Sequence, residues 1–131
     1  MGHLLDVNLL LACAWSNHAE HARANRWLNS LPAFATAPVT QMGFLRVSMS
    51  VAYGATYDDA QTALAAIARM KSHRFLPDKV AADALPDELA GRDITDAHLV
   101  GLAETHGLKL ATLDEKLCKK SWAANIAENP L

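Results

Sequence analysis

The sequence predicts an α/β fold in which helices cover both faces of a central parallel sheet of four or five strands. Short apolar runs recur along the 131 residues, and longer segments with apolar residues at helical spacing separate them. Strands that alternate with helices form parallel sheets with right-handed crossovers. A chain of 131 residues with 51% hydrophobic composition suits one domain, residues 1–131, with one packed core.

Each strand is predicted from a short apolar run that ends at a polar residue or a proline, and the runs are 4–5, 33–36, 74–76, 108–112 and 125–127. The helices are predicted from apolar residues three and four apart, over 9–14, 19–28, 40–51, 57–70, 96–106 and 116–124, with weak helices in 81–90. Ser16-Asn17, Thr40 and Thr95 are suitable helix caps, and Gly54 and Gly107 are suitable terminators.

Two of these helices have a predicted inner side. In the third helix, an apolar stripe is expected in the core, or at a dimer face if it is exposed, and it consists of Met42, Leu45, Met49 and Ala52. In the helix over 96–106, the expected buried side chains are Leu99, Leu102, Ala103 and His106.

Composition and charge exclude several classes of protein. The formal net charge is −2, so bulk charge does not indicate nucleic-acid binding, and a polyanion would have to be held by a local patch or a metal. No apolar run approaches the length of a membrane span, and no signal peptide is visible. Cys13 and Cys118 are far apart and lack a metal-binding spacing. We therefore expect a cytoplasmic protein with two reduced cysteines and no membrane association.

Three aspartates fall at comparable places in the predicted fold. Asp6 ends the first strand, Asp114 follows the fourth, and Asp96 begins the helix that leads into the fourth. Alone, Asp96 is most simply a first-turn helix acid and Asp114 a turn or cap residue, whereas Asp6 lies between two apolar runs and needs a partner. Together they would converge at the carboxyl edge of the sheet, where ligands bind. Clustered carboxylates repel unless a cation holds them, and oxygen ligands favour Mg²⁺ or Mn²⁺.

Four segments in order resemble PIN domains, and their spacing resembles that of the VapC-type toxins of bacterial toxin–antitoxin pairs. The segments are LLDVNLLLA at 4–12, TQMGFLR at 40–46, DITDAHL at 93–99 and LATLD at 110–114. The resemblance implies a PIN-like three-layer fold and a metal-dependent endoribonuclease, the toxin of a type II pair. Such a protein hydrolyses RNA phosphodiesters with a water activated by Mg²⁺ or Mn²⁺. The resemblance also implies a homodimer that a small antitoxin protein neutralises.

The resemblance implies roles for individual residues as well. Asp6, Asp96 and Asp114 match the catalytic acids that hold the metal. Thr112 matches the hydroxyl residue two places before the last acid, and Asn8 matches the polar residue after the first, so both are expected beside the metal ligands.

One position departs from the family pattern. PIN domains have a further acid, usually Glu, at the start of the helix after the second strand, and this chain has no Asp or Glu between Glu20 and Asp58. Gln41 or Gly43 occupies the matching position, and Gln41 could offer an amide oxygen or hold a metal-bound water without bringing a charge. A site with one carboxylate fewer should bind Mg²⁺ more weakly. Asp93 could compensate as a further metal ligand, although a loop cap is its simpler interpretation.

Basic residues near these segments are candidates for RNA binding. Arg46 lies beyond Gln41 and could pair with the acids or meet a phosphate. Lys116, Lys119 and Lys120 form a basic cluster just after Asp114, which would contact the RNA backbone or would simply be a solvated helix face.

Three alternative functions remain open at this stage. The missing acid motivates a catalytically weakened PIN domain that binds RNA or an antitoxin without efficient cleavage. A phosphatase of the haloacid dehalogenase type also begins with an aspartate after a strand, but it needs a second Asp where Asn8 stands. A phosphoacceptor receiver domain would need paired acids near the N-terminus, which this chain lacks.

Overall fold

The computed structural model describes residues 2–131, in which five parallel strands form one sheet. The strands are β1 (His3–Leu5), β2 (Phe34–Thr36), β3 (His73–Phe75), β4 (Lys109–Ala111) and β5 (Ala127–Glu128), and their order in the sheet is β3-β2-β1-β4-β5. Every neighbouring pair is parallel. The predicted α/β fold with a parallel central sheet is therefore confirmed.

Helices connect the strands along the chain. They are α1 (Val7–Ala14), α2 (His21–Ser30), α3 (Pro38–Ser48), α4 (Tyr57–Ala68), α5 (Ile94–Thr105) and α6 (Glu115–Cys118), and short 3₁₀ turns cover Ala82–Ala84 and Gly91–Asp93. In residues 2–131, no helix is long and apolar enough to cross a membrane.

Both faces of the sheet are buried, as the parallel arrangement requires. Successive side chains of β1 point to opposite faces. Leu5 packs in a cluster with residues of α1 to α4, while Leu4 packs in a second cluster with residues of α5 and α6. The sheet is thus the middle of three layers.

The order of the strands creates a crevice at the carboxyl edge between β1 and β4. The chain proceeds from β1 to β2 and β3 on one side, then crosses to β4 on the other. Such a reversal opens a crevice outside the carboxyl ends of the strands, where ligands of open α/β sheets bind. Leu5 pairs with Ala111, and the amide of Asp6 donates to the carbonyl of Ala111 over 2.9 Å. Asp6 therefore lies at the mouth of this crevice.

Helix α3 differs from its prediction in extent. It begins at Pro38, because proline suits the first turn, and it ends at Ser48 rather than near residue 51. Thr40 is not the cap; its hydroxyl is fully buried in the first turn, where it accepts from the amide of Ala37 and donates to the carbonyl of Ala37.

The expectation of a buried apolar stripe on α3 was wrong for Met42, Met49 and Ala52, whereas Leu45 is half-buried against the core. Met42 and Met49 are 58% and 46% exposed, and the buried residues are Thr40, Gly43, Phe44 and Ser48. The rotation of the helix is set by its contact with α1, because Phe44 stacks on Trp15 at 6.0 Å between ring centroids and Gly43 lies against Val7. Because Met42 and Met49 are exposed, the alternative that they form a dimer face stays a prediction.

Helix α5 begins two residues earlier than predicted, at Ile94 instead of Asp96. Asp93 occupies its N-cap and Thr95 lies inside the first turn, so the predicted Thr95 cap was wrong. Leu99, Leu102 and Ala103 are buried as expected. His106 is exposed because it follows the last helical residue, and Gly107 beyond it has a φ of +67°.

Two predicted helices are much shorter. The helix expected over 116–124 is only α6, Glu115–Cys118, followed by turns. The weak helices expected in 81–90 reduce to one 3₁₀ turn whose three residues are all exposed. Alanine favours helices, but a short segment without a buried face gains too little from packing to remain helical.

Candidate active site

Asp6 is a nearly buried carboxylate at the end of β1. It is 6% exposed, and it is also the N-cap of α1. Its Oδ1 accepts the amide N–H of Val7 at 2.7 Å, and its Oδ2 accepts the hydroxyl of Thr112 at 2.8 Å. These two bonds fix the orientation of the carboxylate, because one oxygen accepts from Val7, which follows β1, and the other accepts from Thr112, which follows β4.

Thr112 uses its whole hydrogen-bonding capacity in this site. Its fully buried hydroxyl donates to Asp6 and accepts from the side-chain amide of Asn8 and from the backbone amide of Asp114, both at 3.1 Å. A hydroxyl has one donor and two acceptor positions, so none is left over. Asn8 in turn accepts the amide of Leu113 at 3.1 Å. The end of β4 and the start of α1 are thereby locked together.

The other two predicted acids, Asp114 and Asp96, come from the adjoining helix starts. Asp114 is the N-cap of α6, and its Oδ1 accepts the amide of Leu117 at 3.1 Å. Asp96 lies in the first turn of α5, one turn after Asp93. Negative charge suits both positions, since helix N-termini present unpaired N–H groups and a positive dipole end.

The acids are close enough to influence each other's ionisation. Burial raises the pKa of Asp96 to about 6, and the charges of Asp6, Asp114 and Asp93 act in the same direction. Burial also raises the pKa of Asp6, against the bonds from Thr112 and Val7, and the charge of Asp114 adds to the increase. Uncompensated repulsion is the expected behaviour of carboxylates gathered without a cation.

A cavity of about 360 Å³ contains most of the site, and it is lined by Arg92, Asp93, Asp96, Asp114, Lys116, Leu117 and Lys120. Acidic and basic side chains thus line the same cavity. The ammonium of Lys120 lies 3.7 Å from Oδ2 of Asp93, so this lysine already balances part of the acidic charge.

The acids match a hard divalent cation in chemical type. They offer carboxylate oxygens, and their mutual repulsion would be relieved by a cation. In residues 2–131, however, no three His, Cys, Asp or Glu side chains lie close enough together to hold a metal as they stand. Binding of one cation by Asp6, Asp96 and Asp114 together therefore requires their side chains to move closer.

Two of the remaining candidates lie away from the cavity. Gln41 donates from its side-chain amide to the hydroxyl of Thr36, at 3.0 Å, and not to the acids. Arg46 is exposed in the last turn of α3 and is not among the cavity residues. Lys119 is exposed beside the cavity, whereas Lys116 and Lys120 line it.

Sequence reasoning missed Arg92, which lines the cavity from the 3₁₀ turn before α5. The only available signal was its position next to Asp93. It also missed His73, whose ring nitrogen lies 2.7 Å from the hydroxyl of Thr36. That contact joins residues 37 positions apart, which no local pattern shows.

The chain belongs to the PIN domain family. The sequence profile of that family, described as the PIN domain, matches residues 3–123. The match includes the four segments on which the resemblance was based, and it agrees with the sheet and the helices observed here.

Close relatives have been named as ribonucleases. Ribonuclease VapC38 of Mycobacterium tuberculosis (strain ATCC 25618 / H37Rv) is 42% identical over 120 residues, which cover 85% of this chain and 84% of that protein. Ribonuclease VapC39 of Mycobacterium tuberculosis (strain CDC 1551 / Oshkosh) is 35% identical over 139 aligned positions, with 96% and 98% coverage.

Solved structures share the fold at low sequence identity. Mycobacterium tuberculosis VapC20, described as a Sarcin-Ricin loop cleaving toxin, has a TM-score of 0.63 at 16% identity and covers 88% of this chain and 92% of its own. VapBC2 from Rickettsia felis, solved with a DNA fragment of its promoter, has a TM-score of 0.64 at 14% identity, with 98% coverage of both chains. These likenesses show the fold.

Proposed function

We propose that this chain is a Mg²⁺- or Mn²⁺-dependent endoribonuclease and the toxin of a type II toxin–antitoxin pair. The observation that supports the proposal is that Asp6, Asp96 and Asp114 all lie at helix starts beside the carboxyl edge of the sheet, near enough for their charges to interact. The high identity to relatives named ribonuclease VapC supports the same activity. Residues 1–131 would act as one domain, because both apolar clusters face the same sheet.

In this proposal the three acids bind the cation and the neighbouring polar residues orient them. A divalent ion supplies Lewis acidity and lowers the pKa of a water for phosphodiester hydrolysis. Thr112 and Asn8 hold Asp6 and the loop after β4 in place. Asp93 is a weaker candidate for a metal ligand, since Lys120 already pairs with it.

The basic residues would bind the RNA backbone beside the acids. Lys116, Lys120 and Arg92 line the same cavity as Asp96 and Asp114, although Asp6 does not line it, so a phosphate placed in the cavity would lie within their reach. Lys119 is exposed nearby and would contact a more distant phosphate. Arg46 is the weakest of these candidates because it lies outside the cavity.

The alternative is a catalytically weakened PIN domain that binds RNA or an antitoxin without efficient cleavage. The observation that favours it is Gln41, which is neutral and is bonded to Thr36 instead of facing the acids. The two proposals differ in one measurable property, the rate of RNA cleavage in the presence of the metal.

Two protein partners complete the proposal. An antitoxin segment would lie in the groove of about 250 Å³ between α2 and α4, whose largely apolar lining is Cys13, Ala14, Asn25, Leu28, Asn29, Ala63, Ala66, Ile67 and Met70. A second copy of the chain would cover the exposed side chains of Met42, in α3, and Met49, the C-cap residue directly after it. A toxin that cleaves RNA would act in the cytoplasm.

Controlled expression in a bacterial host tests the toxin proposal. The wild-type chain should arrest growth, Asp96→Asn should not, and co-expression of the small protein encoded beside the gene should relieve the arrest. Asp87→Asn, a change at an exposed loop residue, is the matched control and should arrest growth like the wild type. Equal arrest by the wild type and Asp96→Asn would contradict the proposal.

A further inference from the structure

Three side chains outside the acid cavity form a continuous hydrogen-bonded chain. The side-chain nitrogen of Gln41 lies 3.0 Å from the hydroxyl of Thr36, and that hydroxyl lies 2.7 Å from Nε2 of His73. Thr36 is the last residue of β2, and β2 pairs with β1. The contact therefore lies one strand away from Asp6, and it includes Gln41, one of the two positions that match the absent family acid.

The available protons determine which group donates and which accepts in each of these two hydrogen bonds. The hydroxyl of Thr36 is fully buried, so its single proton needs an acceptor. The amide nitrogen of Gln41 has no lone pair to offer, which leaves Nε2 of His73 as the acceptor. A neutral histidine that accepts at Nε2 has its proton on Nδ1.

The surroundings of His73 agree with a neutral ring. Burial lowers the pKa of His73, and the charge of Arg74 lowers it further, against a contact with the backbone of Ala68. The ring also packs edge-on against Phe34, with centroids 5.4 Å apart, which limits its rotation.

We propose that His73 and Thr36 are positioning residues that select an amide at position 41 and fix its orientation. The amide nitrogen of Gln41 points to Thr36, and its carbonyl oxygen is the atom left for a metal-bound water or for RNA. A glutamate here has no proton to donate at neutral pH, so Thr36 would have to donate to it and His73 would have to donate from Nε2. The rest of the network thus favours Gln over the usual family acid.

Long-range ¹H–¹⁵N NMR of the histidine rings tests this directly, in the full chain at pH 7.5 with EDTA. We expect the His73 proton on Nδ1 in the wild type. In Gln41→Glu, we expect a shift of the population to Nε2–H or to a doubly protonated ring. Gln41→Met is the matched control, because it removes the donor without adding an acceptor, and it should keep the proton on Nδ1.

Either of two results would overturn the proposal. One is an Nε2–H tautomer in the wild type, which would mean that His73 donates to Thr36 and that Thr36 donates to Gln41. The other is an unchanged tautomer in Gln41→Glu, which would mean that the network tolerates an acid. Circular dichroism confirms that each variant is folded, and Thr36→Ser, which keeps the hydroxyl, should retain the wild-type tautomer if Gln41→Glu does not fold.

The consequence for catalysis rests on the proposed ribonuclease function, and the two are separable. With both true, Gln41→Glu should cleave RNA no faster than the wild type, although it restores the family acid. Faster cleavage with an unchanged tautomer would overturn the positioning role and leave the ribonuclease proposal intact. Absence of cleavage in every variant, with the expected tautomers, would overturn the ribonuclease proposal and support the positioning role.

Discussion

At the scale of single residues, Thr112 determines how Asp6 is held. Within residues 2–131, its buried hydroxyl is the one side-chain donor to that carboxylate, and it also receives two further bonds, from Asn8 and Asp114. We expect Thr112→Val to lower the free energy of unfolding by about 2 kcal/mol, because a nearly buried carboxylate loses a charge-assisted bond. Urea denaturation measures this loss. Thr112→Ser keeps the hydroxyl and should lose less than half as much; equal losses would contradict the role given to the hydroxyl.

The acids should make the metal-free protein less stable at neutral pH than in acid. Because the folded-state pKa of Asp96 is raised, to about 6, this group stabilises the fold most below its unfolded value near 4. That contribution is lost as the pH rises through 6. We therefore expect Asp96→Asn to be more stable than the wild type in EDTA at pH 7.5 and about equally stable at pH 4.

Denaturation curves at both pH values check this expectation. Asp87→Asn, in the exposed loop, should match the wild type at each. A stability gain of Asp96→Asn that persists at pH 4 would contradict an electrostatic cause.

Residues differ in how well the sequence predicted them. Asp6 and Asp114 could be predicted because each follows an apolar run that forms a strand, and a carboxylate at the end of a buried strand needs a partner. Arg92 and the Thr36–His73 pair could not be found, because their importance arises from contacts with distant segments. The cap at Thr95 was predicted wrongly, since the N-cap position falls two residues earlier, at Asp93, whose side chain makes no capping bond and lies near Lys120.

At the scale of elements, the contact between α1 and α3 fixes how α3 is rotated. A Cβ at Gly43 would lie 2.7 Å from Cγ2 of Val7, closer than side chains approach. Alanine normally improves a helix interior by about 1 kcal/mol over glycine. At position 43 overpacking of about 1–3 kcal/mol should outweigh that gain, so Gly43→Ala should destabilise the protein.

Gly101 provides the matched control for this prediction. It lies inside α5, and a Cβ there would meet nothing within 4 Å. Gly101→Ala should therefore raise the free energy of unfolding by up to about 1 kcal/mol. The Val7→Ala change should relieve the penalty of Gly43→Ala in a double-mutant cycle. Equal stabilisation by both glycine substitutions would contradict the close approach of α1 and α3 at Gly43.

The sequence predicted the presence of most elements better than their ends or their rotation. Apolar periodicity identified α3, but the stripe of Met42, Leu45 and Met49 was a poor guide to its inner side. Gly43 and Phe44 determine that side through contacts with α1, and small residues at a close helix contact contribute little to periodicity. Helix α6 is short for a related reason, because Leu117 is its only buried residue.

At the scale of the whole molecule, the parallel sheet explains why residues far apart in sequence meet. Asp6, Asp96 and Asp114 belong to connections that all open at the carboxyl edge, between the two strands where the winding reverses. The alternation of strands and helices was sufficient to predict that these connections open at the same edge of the sheet. The distances between the acids were not predictable, because they depend on Thr112 and on the helix caps.

The exposed face of α3 makes a prediction about assembly. If a second copy covers Met42 and Met49, the double change Met42→Glu and Met49→Glu should convert a dimer to a monomer without unfolding it. Light scattering after size exclusion measures the mass. Val51→Glu, at a fully exposed site after the helix, is the control and should leave the dimer unchanged. A wild-type monomer at micromolar concentration would contradict the proposed dimer.

The most direct test of the central claim is cleavage of a mixed small-RNA pool by the purified chain with Mg²⁺, Mn²⁺ or EDTA. Asp6→Asn and Asp96→Asn are compared with the wild type and with Asp87→Asn, after circular dichroism shows that all four are folded. The account predicts metal-dependent cleavage by the wild type and Asp87→Asn that is abolished in the other two variants and by EDTA. Cleavage by the wild type no faster than by Asp6→Asn and Asp96→Asn would contradict it and favour the binding domain instead.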